Sequence, residues 1–430
     1  MLSSARTRWS AAGLALATVA TGVAVALTTA APAAATVLPN GFRSVGYMPS
    51  WSGNVNSIQY TKLTHINYAF ALPNSNGTLQ AIPDQNKLRS LVTLGHNNGV
   101  KVSLAIGGWN DGNDSAFEAL AGNAGSRTTF VNSVISAIDQ FGLDGVDIDW
   151  EYPDPGQSGN NFTALMGQLS TELHNRGKLL TAAVVSGGST ANGVQPAVFG
   201  YVDWLNIMAY DGGSPHAGYD WSIQSANGWK ARGLPASKTV LGVPFYSRPG
   251  YLTYAQIVAM NPANANVDCI NSGGQQCYNG IPTIKRKTQW AMANAGGIMN
   301  WELSQDTTGA TSLVSAIFEV ANGGTTPPVG RTGAITGIAG KCIDVAGASS
   351  ANGAAVQLYA CNATGAQTWT VSTDGTLRAL GKCMDAAAAG TANGTVIQLY
   401  DCNGSGAQGW QAQSNGTLRN TASGRCLDAT

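Results

Sequence analysis

Residues 143–153, with the sequence LDGVDIDWEYP, carry four carboxyl groups within eight residues, at Asp144, Asp147, Asp149 and Glu151. Only 11% of the chain is charged, so the cluster stands out from the composition. In a β-strand the last three would share one face about 7 Å apart, because successive side chains alternate between faces. Repulsion along that face raises the pKa of at least one carboxyl group. A carboxyl group that keeps its proton near neutral pH can act as a general acid.

Two other interpretations of the cluster are a solvated strand face and a metal site. A solvated face is disfavoured because Val146, Ile148 and Trp150 occupy the opposite face and require burial. A metal site would recruit further ligands at fixed spacing. The histidines are instead scattered, without an i, i+4 pair, at His65, His96, His174 and His216. We therefore predict catalysis by carboxyl groups, with neither a metal nor a cofactor.

The spacing D-x-x-D-x-D-x-E from Asp144 to Glu151 resembles the signature of glycoside hydrolase family 18, which includes the retaining chitinases. Four other segments resemble strands of this family in the expected order. They are SLAIGGW at 103–109, MAYD at 208–211, GVPFYSR at 242–248 and GIMNWE at 297–302. The resemblance covers about residues 41–320 and implies hydrolysis of β-1,4 bonds between N-acetylglucosamine units of chitin.

The resemblance also implies a role for each catalytic residue. Glu151 would protonate the glycosidic oxygen and then activate water. Asp149 would orient the substrate's acetamido group, whose oxygen attacks the anomeric carbon in this family. Asp147 would share a proton with Asp149, and Tyr210 would hold the acetamido oxygen. Asp144 has the opposite strand parity and is interpreted as structural.

Aromatic side chains at strand ends are candidates for stacking on sugar rings. Trp301 ends the last predicted strand and is expected to form the floor under the sugar at subsite −1. Trp109 and Tyr152 are expected to contact sugar, whereas Tyr47 and Phe70 are left open between pocket wall and packing. The remaining substrate-binding candidates are Met208, Asp211, Tyr246 and Arg248, with a salt bridge as the alternative role for the arginine.

The elements that must position these residues alternate between β-prone and amphipathic segments across residues 36–321. The predicted strands are 43–48, 63–70, 100–106, 145–150, 179–184, 204–208, 239–244 and 297–301, and the clearest predicted helices are 126–141, 161–175 and 284–294. This alternation predicts an α/β fold, a (β/α)₈ TIM barrel with its active site at the C-terminal ends of the strands. Only about forty residues, including Cys269 and Cys277, separate Arg248 from the next helix. Many family members carry a large insertion there, so we expect a local disulfide, a shallow cleft and endo-like cleavage.

The first 35 residues are typical of a secretory signal. Arg6 and Arg8 precede an apolar run at 11–29, and small residues at 33–35 offer a cleavage site. A membrane anchor is the alternative, disfavoured because no charged stop follows the run. The formal net charge is zero, which gives no reason to expect nucleic acid as a partner. We predict a secreted, extracellular monomer.

Beyond a Gly/Thr/Pro linker at 322–331, residues 332–430 repeat themselves. GKCID at 340–344 recurs at 381–385 and, as GRCLD, at 424–428, while VQLYAC at 356–361 recurs as IQLYDC at 397–402. A period of about forty residues demands a repeat architecture. Together with Q-x-W at 367–369 and 408–410, the repeats resemble a ricin-type lectin, a β-trefoil of three units.

The resemblance to ricin-type lectins implies that each complete repeat closes its own disulfide, Cys342 with Cys361 and Cys383 with Cys402. The third repeat stops soon after Cys426, so we expect a partial trefoil in which this cysteine is unpaired. Trp369 and Trp410 are expected in the core. The candidate sugar-binding residues are Asp344, Gln357, Tyr359 and Asn362 in the first repeat, and Asp385, Gln398, Tyr400 and Asn403 in the second.

The sequence thus predicts a secreted chitinase with a C-terminal module that binds carbohydrate, its partners being chitin, chitooligosaccharides and another polysaccharide. An endo-β-N-acetylglucosaminidase acting on N-glycans shares the carboxylate core and is the enzymatic alternative. Trp150, Tyr210 and Trp301 favour the chitinase. A non-catalytic chitin-binding lectin on the same barrel is the other alternative, which the presence of Glu151 disfavours.

Overall fold

The computed structural model describes residues 38–323, 332–372, 375–412 and 416–428. The predicted secretory signal at 1–35 and all but two residues of the predicted linker at 322–331 lie outside the described residues. Within the described ranges, no helix combines the length and the hydropathy needed to cross a membrane.

Eight parallel strands close into a barrel, so the predicted TIM-barrel fold is confirmed. The strands are β1 (Arg43–Pro49), β2 (His65–Ala71), β3 (Lys101–Gly108), β4 (Gly145–Trp150), β5 (Leu179–Val185), β6 (Trp204–Met208), β7 (Thr239–Pro244) and β10 (Gly297–Trp301). A small hairpin, β8 (Cys269–Asn271) and β9 (Gln275–Cys277), lies between β7 and β10 in sequence. The strands between β7 and β10 therefore form only a small hairpin, in line with the short spacing in the sequence.

Helices follow most of the strands. They are α1 (Gln85–Asn97), α2 (Ser115–Gly122), α3 (Ala124–Phe141), α4 (Gln157–His174), α5 (Val198–Tyr201), α6 (Tyr219–Ala231), α7 (Tyr254–Met260), α8 (Ile281–Asn294) and α9 (Leu313–Ala321). Local sequence signals set several of their ends. The Asn123 side chain accepts hydrogen bonds from the first turn of α3, and Gly142 ends that helix in the left-handed conformation that glycine adopts easily.

Strand β4 is buried along its whole length, and its two faces differ in chemistry. Val146, Ile148 and Trp150 pack against the surrounding helices. The Trp150 ring lies parallel to that of Phe117 at 5.2 Å, and its indole N–H donates to Asp114 at 2.9 Å. Because this face is fixed by packing, the carboxyl groups of the other face have a defined direction.

The C-terminal region is rich in short antiparallel strands, as predicted. They are β11 (Thr332–Gly333), β12 (Cys342–Val345), β13 (Val356–Tyr359), β14 (Trp369–Val371), β15 (Leu377–Ala379), β16 (Lys382–Ala386), β17 (Ile397–Tyr400), β18 (Trp410–Ala412) and β19 (Leu418–Asn420). Trp369 and Trp410 are buried in its apolar core. Disulfides join Cys342 to Cys361 and Cys383 to Cys402 here, and Cys269 to Cys277 in the barrel, while Cys426 is free and exposed.

Candidate active site

A cleft of about 870 Å³ opens at the C-terminal ends of the barrel strands. Every predicted catalytic or substrate-binding residue of the barrel lines it except Asp147. The predicted residues along the cleft are Tyr47, Phe70, Trp109, Asp149, Glu151, Tyr152, Met208, Tyr210, Asp211, Tyr246, Arg248 and Trp301. The barrel thus brings together side chains that are up to 254 positions apart in sequence.

Asp147 lies beneath the cleft, fully buried and fully paired. Its Oδ2 atom accepts from the Tyr47 hydroxyl at 2.5 Å, and its Oδ1 atom accepts from the Thr181 hydroxyl at 2.5 Å and from the Asn206 amide at 3.0 Å. Burial raises the pKa of Asp147, whereas these three hydrogen bonds lower it. Donors directed at both oxygens stabilise the ionised form of this carboxyl group.

Asp149 has the opposite environment, although it is two residues away on the same strand. Its carboxyl group is buried, and its Oδ1 atom accepts no hydrogen bond from any described residue. Burial raises the pKa of Asp149 well above its ordinary value, and the charges of Glu151 and Asp147 raise it further. Among the described residues no hydrogen bond joins Asp147 to Asp149, so the expected proton sharing is not a direct contact in this conformation.

Glu151 follows β4 and is partly exposed to the cleft. Burial raises the pKa of Glu151, a hydrogen bond with Tyr152 lowers it, and the charge of Asp211 raises it. A carboxyl group with a raised pKa at the edge of an open cleft can deliver a proton to a bound molecule.

Tyr210 follows β6 and is nearly buried beside these carboxyl groups. Burial raises the pKa of Tyr210 well above its usual range, with smaller contributions from Tyr246, Asp149 and Glu151. The hydroxyl therefore stays protonated and can donate a hydrogen bond into the cleft.

Aromatic rings form one wall of the cleft around Trp301. The Trp301 ring stacks on Phe70 at 5.5 Å, meets the edge of Tyr47 at 5.5 Å and lies 6.4 Å from Trp51. Phe70 thus belongs to the pocket wall. Tyr47 does two things, since it lines the cleft and also donates to Asp147.

A second part of the cleft wall is built around Asp211. Arg248 donates from Nε to Asp211 at 3.1 Å, so the salt bridge considered for this arginine is present, and Arg248 also lines the cleft. The Tyr246 hydroxyl is hydrogen-bonded to the same carboxylate. This part of the wall therefore offers a charged and hydrogen-bonded surface in addition to the aromatic one.

Sequence reasoning missed several residues of the site, and three of them have side chains that shape or support its walls. Trp51, 65% exposed, and Tyr251, 61% exposed, line the cleft, and His216 packs beneath Asp211. Trp51 had a usable signal, because it follows the first strand at the end where this fold places its site. Tyr251 and His216 lie in loops, where spacing carries no comparable information.

The remaining carboxylate of the signature, Asp144, is structural in its contacts. It accepts from the Val102 backbone N–H at 2.7 Å and is paired with His96 at 2.8 Å. In the described part of the chain, no group of three or more His, Cys, Asp or Glu side chains is arranged to hold a metal ion.

Comparison with known proteins agrees with this geometry. The family model "Glycosyl hydrolases family 18" matches residues 43–306, which is more than half of the 430 residues. The chain belongs to glycosyl hydrolase family 18. The matched range contains β4, the aromatic wall and the Asp211 wall.

Three known proteins illustrate what this chain is similar to. Probable chitinase 10 of Drosophila melanogaster is 27% identical over 63% of this chain and 15% of its own length, and Chitinase 1 of Aphanocladium album is 26% identical over 64% of this chain and 84% of its own length. The chain thus spans a small part of the first relative and most of the second. The crystal structure of a family 18 chitinase from the chitin utilization locus of Flavobacterium johnsoniae matches with a TM-score of 0.59 and 30% identity, over 65% of this chain and 94% of that one.

The C-terminal region of this family 18 chain contains two nearly identical polar arrangements. In the first repeat, Asp344 is buried and accepts from Gln357 and Gln367, each at 3.0 Å. In the second, Asp385 accepts from Gln398 at 3.1 Å and Gln408 at 3.0 Å. The glutamine of each Q-x-W motif therefore orients the aspartate of its own repeat.

The exposed members of the predicted sugar sites are the tyrosines, the asparagines and Gln357. Tyr359 is 53% exposed and Tyr400 is 40% exposed. Asn362 and Asn403 accept from the backbone N–H groups of Thr364 and Ser405, so their side chains also fix a turn. The family model "Ricin-type beta-trefoil lectin domain" matches residues 331–430.

Proposed function

We propose that this chain is a secreted chitinase that hydrolyses β-1,4 bonds between N-acetylglucosamine units with retention of configuration, the substrate's acetamido oxygen acting as the nucleophile. The observation that carries the proposal is the buried Oδ1 atom of Asp149, which lacks a donor among the described residues. A buried acceptor without a donor costs free energy. The N–H of an acetamido group is a donor of the right chemistry, and Asp149 lines the cleft where the sugar would lie.

In the first step, Glu151 donates its proton to the glycosidic oxygen as the bond to the anomeric carbon breaks. The acetamido oxygen attacks that carbon from the opposite face, which forms an oxazolinium ring and releases the leaving sugar with the transferred proton. Asp149 and Tyr210 orient the acetamido group, Asp149 at its nitrogen and Tyr210 at its oxygen. Holding the reacting atoms in this way replaces an encounter in solution.

Positive charge develops on the oxazolinium ring during this step. Asp147 and Asp149 together favour a single negative charge on Asp147: burial raises the pKa of both, but three donors lower that of Asp147, whereas the charges of Glu151 and Asp147 raise that of Asp149 further. That negative charge lies beneath the ring in a poorly solvated site, where it stabilises the cation more than in water.

In the second step, the carboxylate of Glu151 takes a proton from water, and the water oxygen attacks the anomeric carbon. The bond to the acetamido oxygen breaks, the acetamido group is restored, and Glu151 regains its proton. Two inversions at one carbon give a product with the β configuration of the substrate.

Chitin is favoured as the substrate by the aromatic wall and by the chitinases among the relatives. Sugar rings present C–H faces that pack on aromatic rings, and Phe70, Trp301 and Trp51 offer such a surface. The short segment after β7 leaves the cleft open, which supports cleavage within a chain. Three disulfides fit an extracellular protein, because such bonds persist in oxidising compartments.

The C-terminal region is proposed to bind polysaccharide through two sites of the same design. Tyr359 and Tyr400 would stack on sugar, and Asp344 and Asp385 would accept from sugar hydroxyls. Because each aspartate is already oriented by two glutamines, little side-chain freedom is lost on binding.

Product analysis tests this function directly. The protein is incubated with chitohexaose, with fully deacetylated chitosan oligomers and with a high-mannose glycoprotein, and fresh products are followed by proton NMR. We expect β anomers from chitohexaose and no cleavage of the deacetylated oligomers. A fresh α anomer, or efficient cleavage of deacetylated oligomers, would contradict the acetamido mechanism. Release of N-glycans without cleavage of chitohexaose would support the endo-β-N-acetylglucosaminidase instead.

A further inference from the structure

The hairpin of β8 and β9 braces the loop that carries Arg248. The backbones of Arg248 and Cys277 exchange two hydrogen bonds of 2.9 Å, Arg248 N–H to Cys277 O and Cys277 N–H to Arg248 O. The side chain of Gln276 accepts from the Gly250 backbone N–H at 2.7 Å. The Cys269–Cys277 disulfide closes the same hairpin. The hairpin therefore fixes the backbone of this loop at Arg248 and at Gly250.

His216 links this hairpin to Asp211. It is 6% exposed, and its Nε2 atom accepts from the Asp211 backbone N–H at 3.1 Å. A nitrogen that accepts carries no hydrogen, so the proton of the neutral ring lies on Nδ1. Nδ1 then donates to the carbonyl of Cys277 at 3.3 Å. The contacts of the ring thus assign its tautomer.

The residue that His216 holds has an unusual backbone conformation. Asp211 has a φ of +56°, in the left-handed region that residues with a side chain seldom occupy. Such a conformation persists when surrounding contacts impose it. Here the contacts are the His216 ring, on the Asp211 backbone, and Arg248, on its carboxylate at 3.1 Å. Both His216 and Arg248 are in turn hydrogen-bonded to Cys277, the first through its ring and the second through its backbone.

We propose that His216 and the Cys269–Cys277 hairpin are positioning elements of the active site, which hold Asp211 at its place beside the catalytic acid. The inference rests on the proposed function, since it assigns these elements a role in that reaction. Asp211 and Glu151 line the same cleft. An element that sets the position of Asp211 therefore sets the electrostatic environment of Glu151 and the shape of the cleft wall around Asp211.

The charges around His216 and around Glu151 agree with this role. Burial lowers the pKa of His216 to about 4, with Asp211 opposing that effect and Arg248 and Lys287 adding to it, so the ring is neutral and Nε2 can accept above that pH. Asp149, Asp211, Tyr152, Tyr210 and Tyr246 surround Glu151. Of these, Asp211 belongs to the wall that the hairpin braces. Its charge raises the pKa of Glu151.

The first experiment compares two disulfide deletions in the full chain. Cys269→Ser with Cys277→Ser should lower kcat/KM for chitohexaose by about tenfold, because small displacements of positioned groups are costly. The basic limb of the pH profile should move to lower pH as Asp211 moves away from Glu151. The matched control, Cys342→Ser with Cys361→Ser, removes a disulfide from the C-terminal region and should change neither quantity.

Substitutions of His216 separate positioning from simple folding. His216→Phe fills the site without an acceptor and should reproduce both effects. His216→Gln places an amide oxygen near the position of Nε2 and should restore part of kcat/KM and the pH profile. If the hairpin deletion and His216→Phe both keep the wild-type kcat/KM and pH profile, the inference is wrong.

A second measurement does not depend on activity. Two-dimensional ¹⁵N–¹H NMR of the histidine side chains should show His216 as a neutral Nδ1–H tautomer at pH 6. An Nε2–H tautomer, or a charged ring, would remove the bond to Asp211 and overturn the inference. If instead the tautomer is as expected but the wild-type chain does not cleave chitohexaose, it is the proposed function that fails.

Discussion

Three carboxyl groups occupy every second position along β4 and directly after it, yet each has a different environment. Asp147 receives three hydrogen bonds, Asp149 has an oxygen without a donor among the described residues, and Glu151 reaches the open cleft. Burial alone would raise the pKa of all three. The donors on Tyr47, Thr181 and Asn206, which come from three other strands, lower the pKa of Asp147 alone.

The first prediction at this scale concerns the acid. Glu151→Gln should lower kcat for chitohexaose by about a thousandfold, because an amide cannot protonate the leaving oxygen. Binding of the oligomer, measured by tryptophan fluorescence, should remain. Asp144→Asn is the matched control, since its amide oxygen can still accept from Val102 N–H, and it should retain activity. A Glu151→Gln protein that turns over near the wild-type rate would rule out the assigned role.

The second prediction concerns the ionised partner. Thr181→Val keeps the shape of the side chain and removes one donor to Asp147. Since that hydrogen bond lowers the pKa of Asp147, its loss raises this pKa. In the proposed mechanism Asp147 is ionised, so the acidic limb of the kcat/KM profile should move to higher pH, by about one unit. An acidic limb that stays in place would show that this limb does not report on Asp147.

Residue types and spacing predicted the cleft well where strands place side chains, and poorly where loops do. Parity along β4 is enough to separate Asp147, Asp149 and Glu151 from the apolar face. The position of His216 depends instead on a loop that turns back beneath Asp211. Sequence periodicity does not predict how a loop folds back, so the contact between His216 and Asp211 could be recognised only in the structure.

At the scale of elements, the barrel strands were the most predictable part of the chain. Four of the eight predicted strands have the observed bounds, at β4, β6, β7 and β10. Strands buried on both faces are short continuous runs of apolar, β-branched residues, which Gly and polar segments delimit clearly. Helix starts were less predictable. Helix α4 begins at Gln157, four residues before the predicted start, because polar residues such as Asn160 carry little amphipathic signal.

The third prediction tests how β4 is held. Trp150→Ala should destabilise the barrel by about 3–5 kcal/mol, because it empties a site packed against Phe117 and Phe162. Trp150→Phe keeps a ring in that site and loses the hydrogen bond to Asp114, which should cost about 1 kcal/mol. Urea unfolding, with the residual hydrolysis of chitohexaose as the signal, measures the loss of stability in both variants. Equal losses in the two variants would show that the hydrogen bond, not the packing, anchors the strand.

For the whole molecule, the apolar cores fall into separate groups along the sequence. The barrel clusters contain residues between Leu38 and Ala321, whereas the C-terminal cluster contains residues between Ile335 and Leu427. The two activities that we propose, hydrolysis and polysaccharide binding, are therefore assigned to different parts of the chain.

The last prediction separates these activities. A protein that ends at Gly323 should hydrolyse chitohexaose at nearly the wild-type rate, because every residue of the cleft lies before that point. It should bind insoluble polysaccharide more weakly, since both lectin-like arrangements are removed. Tyr359→Ala with Tyr400→Ala in the full chain is the matched variant, and it should weaken pull-down on insoluble chitin or another polysaccharide without changing oligomer hydrolysis. If the shortened protein folds, as judged by circular dichroism, but no longer cleaves the oligomer, the C-terminal region contributes to the active site and the division of roles is wrong.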